Sequence, residues 1–95
     1  KTAREKIASL LAIIARRGPS HVDTPGGRSL DFELPLTREA LSDYLGLTLE
    51  TVSRQMSALI RDGVIEVVGK RRIVIPDFDL LMVETGDDAD GGMPI

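Results

Sequence analysis

An α+β domain of winged helix-turn-helix type is predicted over residues 1–84: a three-helix core with small β-hairpins and a short C-terminal helix. Three observations predict it. Residues 37–61 read as two short amphipathic helices hinged at Gly46, each behind a threonine able to cap it. Two β-branched runs, Val64-Ile65-Glu66-Val67-Val68 and Ile73-Val74-Ile75, flank the basic tip Gly69-Lys70-Arg71-Arg72. Ahead of both, Ala3, Ile7, Leu10, Leu11 and Ile14 form one helical stripe.

The first helix is placed at residues 2–17, where Arg16 and Arg17 favour its negative end and Gly18-Pro19 stop it. A hairpin follows at 21–34. Pro25-Gly26-Gly27 separates His21-Val22-Asp23-Thr24 from an alternating run whose apolar face is Leu30, Phe32 and Leu34. Next come a helix at 37–44 and another at 49–61, the latter turning Val52, Met56, Leu59 and Ile60 inward. Asp62-Gly63 turns the chain into a wing at 64–75. Pro76-Asp77 start a last helix, 77–83, in which Phe78, Leu81 and Met82 pack back on the body. Residues 85–95, acidic and Gly-rich, read as a flexible tail.

Ninety-five residues with 42% hydrophobic content suit one small domain. The absence of cysteine excludes disulfides, zinc fingers, iron–sulfur clusters and cysteine nucleophiles within the chain, and one histidine builds no metal site. No apolar run approaches the roughly 20 residues of a membrane span, and the amino end lacks a signal core, so the chain reads as a cytoplasmic domain cut from something longer. The net charge of -3 argues at first against a nucleic-acid partner. Its distribution reverses that. Six of the fifteen acids lie beyond Pro76, where there are no bases, so residues 1–76 hold all twelve bases and nine acids, a net +3.

With its apolar stripe turned inward, helix 49–61 must present Glu50, Ser53, Arg54 and Ser57 outward, at spacing i, i+3, i+4, i+7. That face carries a carboxylate able to accept from cytosine N4, hydroxyls of either polarity, and a guanidinium able to grip guanine O6 and N7. The plainer reading is an i, i+4 surface ion pair between Glu50 and Arg54, worth about 0.2 to 0.5 kcal/mol. Position favours the first reading, since groove-reading helices make base contacts from their first turns. Lys70, Arg71 and Arg72 can meet phosphates, or serve only as the polar residues that a turn and an edge strand need. His21 and Asp23, with Asp31 near, are the closest approach to a catalytic pair and read as ordinary surface residues. No catalytic or metal site is expected.

The stretch Leu36-Thr37-Arg38-Glu39 through Leu45-Gly46-Leu47-Thr48-Leu49-Glu50-Thr51-Val52-Ser53-Arg54, with the Asp62-Gly63 turn and Gly69-Lys70 wing, resembles the C-terminal DNA-binding domain of CRP/FNR family bacterial transcription regulators. Glu50-Thr51-Val52-Ser53-Arg54 is similar to the FNR and FixK branch, which carries Glu-x-x-Ser-Arg where the catabolite-activator branch commonly has glycine for serine. The resemblance implies that Glu50, Ser53 and Arg54 read bases in TTGA and TCAA inverted half-sites and that Leu49 touches a thymine methyl. It implies phosphate contacts at Thr37, Arg38, Thr48 and Thr51, joined by Ser57 and the wing residues, while capping explains Thr37 and Thr48 equally well. The implied partners are double-stranded DNA, RNA polymerase and a second copy of a full-length parent. That parent would carry a sensory domain whose effector or cluster has no counterpart here, so no cofactor is expected in this fragment. The competing reading is a winged helix whose Glu50–Arg61 face docks a protein; an enzyme is a distant third.

Overall fold

The computed structural model describes residues 1–17, 21–24 and 27–86, in the order α1 (Ala3–Arg17), β1 (His21–Thr24), β2 (Gly27–Glu33), α2 (Arg38–Leu45), α3 (Leu49–Arg61), β3 (Glu66–Val68), β4 (Arg72–Ile75) and α4 (Phe78–Glu84). α1 opens on a reciprocal capping box. The Glu5 N–H donates to Thr2 Oγ1 at 3.1 Å, and the Thr2 N–H donates to the Glu5 carboxylate at 2.8 Å. Ile7, Leu10 and Leu11 are buried as their spacing predicts, but so are Ala8, Ser9, Ala12 and Ala15. The covered sector is wider than one stripe because α3, α4 and β2 all pack on α1, and Ala3 and Ile14 fall at its half-buried margins. Arg16 lies over the Phe78 ring, 5.8 Å from its centroid, which fastens the far end of α1 to α4.

The two hairpins read from the sequence are not separate. They join in one antiparallel sheet of order β1-β2-β4-β3. In the β2–β4 ladder Leu30 stands opposite Ile75 and Phe32 opposite Ile73, so four apolar side chains share the face turned to the core. On the other face Arg72 pairs with Asp31. Beyond the ladder the Leu34 N–H donates to the Arg71 carbonyl at 2.7 Å, which fastens the wing tip to the segment leading into α2.

α2 begins where Thr37 Oγ1 accepts the Ala40 N–H at 3.1 Å, and ends at Gly46, whose φ of 70° a side chain would resist. The Leu47 N–H returns to the Ser42 carbonyl at 2.9 Å, and Thr48 Oγ1 then accepts the Thr51 N–H at 3.1 Å to start α3. Three residues thus turn the chain from one helix to the next. Thr48→Ala is expected to lower unfolding stability by about 1 kcal/mol, read as a shifted urea midpoint. An unmoved midpoint would show that the cap contributes nothing.

Within α3, Val52, Met56 and Leu59 are buried, whereas Ile60, expected in the same stripe, is 39% exposed. At about 100° per residue Ile60 points roughly 80° away from Val52, past the edge of the contact. The helix closes with the Gly63 N–H on the Ile60 carbonyl and the Val64 N–H on that of Leu59, both at 3.0 Å, while Val64 is buried.

α4 buries Phe78 and Leu81 and half-buries Met82, as their pattern predicts. Thr85, assigned from composition to the acidic tail, belongs instead to the body. It is 1% exposed, its hydroxyl donates to the Met82 carbonyl at 2.7 Å, and its own carbonyl accepts from Ser9 Oγ at 3.4 Å. The remaining tail, residues 87–95, lies outside the described residues. Arg4 closes the base of the helical layer: Nη1 donates to Asp62 Oδ2 at 2.9 Å and Nε to Glu84 Oε1 at 2.7 Å. The hydrogen bond from Arg4 holds the Asp62 carboxyl below its ordinary value, against some opposing desolvation.

Candidate nucleic-acid interface

α3 projects its polar face into solvent because Val52, Met56 and Leu59 turn its opposite side into the core, where α3 meets α1 and α2. The Glu50 and Arg54 side chains are 81% and 68% exposed, and Arg54 Nη2 donates to Glu50 Oε2 at 3.1 Å. The surface ion pair read from the sequence is therefore present, and both side chains stay accessible to solvent. An ion pair this exposed is worth at most about 1 kcal/mol. An ion pair this weak leaves the Arg54 guanidinium available to another partner at small cost.

Leu49 is exposed at the first position of α3, Ser57 is exposed one turn beyond Ser53, and Ser53 itself is half-buried at the side of the helix. At the start of the helix the Thr48 hydroxyl donates to Thr51 Oγ1 at 2.8 Å, so two hydroxyls are paired beside the free N–H groups of the first turn. This end carries the positive pole of the helix, which suits an anion.

A second cluster forms from residues far apart in the chain. Thr37 and Arg38 at the start of α2, and Lys70 and Arg71 at the wing tip, line one groove of about 390 Å³ above Met56 and Val67. The Leu34–Arg71 backbone bond described above holds the two rims together. Three cationic side chains and a hydroxyl around one depression are suited to a phosphate backbone. Arg72 is not among them. It is the first residue of β4, and its guanidinium is engaged by Asp31.

The sequence contains the ingredients of this groove but not their meeting, since the link is a backbone hydrogen bond and leaves no compositional signal. The Asp31–Arg72 engagement follows from the β2–β4 pairing, which was equally hidden. Side chains of His21 and Asp23 lie outside the described residues. Among the described residues no three His, Cys, Asp or Glu side chains are grouped to hold a metal ion, and no helix is long and apolar enough to cross a membrane.

Comparison with known proteins places this geometry. Residues 5–83 match the Crp-like helix-turn-helix domain. The chain is 62% identical over 95 residues to the transcriptional activator protein FnrL of Cereibacter sphaeroides, covering all of this chain and 38% of that protein. It is 36% identical over 81 residues to the nitrogen fixation regulation protein FixK of Azorhizobium caulinodans, covering 85% of this chain and 32% of that one. Among solved structures, FixK2 from Bradyrhizobium japonicum superposes with a TM-score of 0.74 at 37% identity, over 94% of this chain and 41% of its own. The chain thus spans about a third of the length of the relatives it matches. With helix, turn, helix and wing in the expected order and the match running over nearly its whole length, the chain belongs to the Crp-like helix-turn-helix domain family of transcription regulators.

Proposed function

We propose that this domain binds double-stranded DNA sequence-specifically, with α3 in the major groove. Leu49, Glu50, Ser53 and Arg54 read base edges. The phosphates on either side are held by Thr48, Thr51 and Ser57 along α3 and by Thr37, Arg38, Lys70, Arg71 and Arg72 around the α2 start and the wing. Arg72 has to leave Asp31 to take part and is the weakest member of the set. The observation that carries the reading is the exposure of Glu50 and Arg54 on the first two turns of a helix whose other side is fully packed.

A lone domain with a net charge of +3 over residues 1–76 binds DNA modestly, which suits a full-length homodimer on a two-fold symmetric site. Two copies of α3 would then enter successive major grooves about 34 to 36 Å apart on a TTGA/TCAA-like palindrome. Kinship with transcriptional activators such as FnrL supports, for the full-length protein, contact with RNA polymerase and a cytoplasmic location. The rival reading, α3 as a protein-docking face, has less support. Interface cores are depleted of charge and enriched in aromatics, whereas this face offers an ion pair and hydroxyls, and the exposed Tyr44 lies on α2.

Titration of a labelled duplex carrying the TTGA/TCAA palindrome against a scrambled duplex tests the reading. Tighter, salt-dependent binding to the palindrome is expected, and no salt-dependent binding to either duplex would favour protein docking. In the same assay Lys70→Ala is expected to weaken both duplexes alike and to reduce the salt slope by about 1. A selective loss on the palindrome would move Lys70 out of the phosphate set.

A further inference from the structure

Three side chains remote in sequence meet where α1 begins and α3 and α4 end. The Arg4 guanidinium bridges Asp62, the C-cap of α3, and Glu84, the last residue of α4, at 2.9 and 2.7 Å. Arg4 and Glu84 are half-buried, so this contact is better shielded than the Glu50–Arg54 pair. None of the three belongs to the candidate interface. At about 1.5 Å of rise per residue, Asp62 stands about 12 Å along the helix from Arg54 and about 18 Å from Glu50. A rotation of about 5° at the clamp therefore displaces Glu50 by about 1.5 Å, wider than the roughly 0.5 Å range of a good hydrogen bond.

Apolar packing through Val52, Met56 and Leu59 keeps α3 on the core and sets its crossing angle broadly, within the roughly 15 to 20° scatter of such packings, which leaves the finer angle to directional contacts. A planar guanidinium with two arms engaged fixes direction as well as distance. We propose that Arg4 is a positioning residue for base reading: joined to Asp62 and Glu84, it sets the tilt of α3 and hence where Glu50 and Arg54 meet the bases. This rests on the assignment of α3 as the reading helix made above.

The test compares wild type, Arg4→Gln, Arg4→Lys and Asp62→Asn for affinity to the palindromic and scrambled duplexes, with thermal melts to confirm that each is folded at the assay temperature. Arg4→Gln is expected to reduce the palindrome-to-scrambled ratio about tenfold, with scrambled binding unchanged. Arg4→Lys, which keeps the charge but loses the fork, recovers only part of it. Asp62→Asn, on an exposed carboxylate that the core does not need, reduces the ratio in the same direction, and the Arg4→Gln/Asp62→Asn double variant loses no more than Arg4→Gln alone. If the ratio stays at the wild-type value in folded variants, or both duplexes weaken together with a flatter salt slope, Arg4 does not position α3. If wild type itself fails to discriminate, base reading by α3 falls and this assignment falls with it.

Discussion

Arg54→Ala is expected to weaken binding to the palindromic site by about 1 to 3 kcal/mol while leaving scrambled DNA nearly unaffected, and to relax preference at a single G·C pair. On the proposed reading the loss is of two hydrogen bonds from the exposed Arg54 guanidinium to guanine O6 and N7. Removing it costs the free domain little, since the internal partner Glu50 is 81% exposed and its carboxylate stays hydrated. Affinities for a panel of duplexes varied one pair at a time check this. Equal weakening on every member of the panel would reduce Arg54 to a phosphate contact. Glu50 responds differently, because deleting its carboxylate relaxes selectivity but also removes a repulsion from nearby phosphates.

Leu59→Ala tests the scaffold rather than the reader. Leu59 is 0% exposed, and it sits one turn before the helix closes on Gly63 and Val64. Truncation leaves a void that its neighbours fill only in part, so unfolding stability should fall by about 2 to 5 kcal/mol, a large share of the roughly 5 to 15 kcal/mol of a domain this size. Urea unfolding measures it. A loss under about 1 kcal/mol would mean that α1 and α3 collapse onto the vacated space, and the shared core would then be softer than its burial indicates. The variant that remains folded should still prefer the palindrome, which separates scaffold from reader.

Local signals in the chain carried most of the helical layer. Thr37 and Thr48 as caps, Gly46 and Gly63 as terminators, and the apolar periodicity of Val52, Met56 and Leu59 all act within one or two turns, and each stands in the structure where its chemistry directs. The polar face of α3 was legible for the same reason. What was not legible depends on which distant segment arrives as a neighbour. The run Leu30–Phe32 has the alternation of a half-buried strand, but nothing in it names Ile73 and Ile75 as partners. Ile60 is apolar and near the stripe, and only the width of the α1 contact decides that it is left at the rim. Thr85 looks like the start of a hydrophilic tail until Ser9 is brought beneath it. The grouping of Arg38 with Lys70 and Arg71, and the bridging by Arg4, belong to the same class of long-range consequence.

The pairing of β4 with β2 also bears on how the molecule is assembled in time. α2 and α3 both lie in the chain between these two strands, so the ladder closes a loop that contains the whole helix pair. Closing so long a loop is entropically expensive, and rates of folding fall as contacts become more distant in sequence. Contacts within the helical pair are short-range, while the Leu34–Arg71 bond between the wing tip and the segment before α2 carries a larger closure cost. The groove that they line thus depends on a ladder closed over the whole helix pair rather than on local contacts.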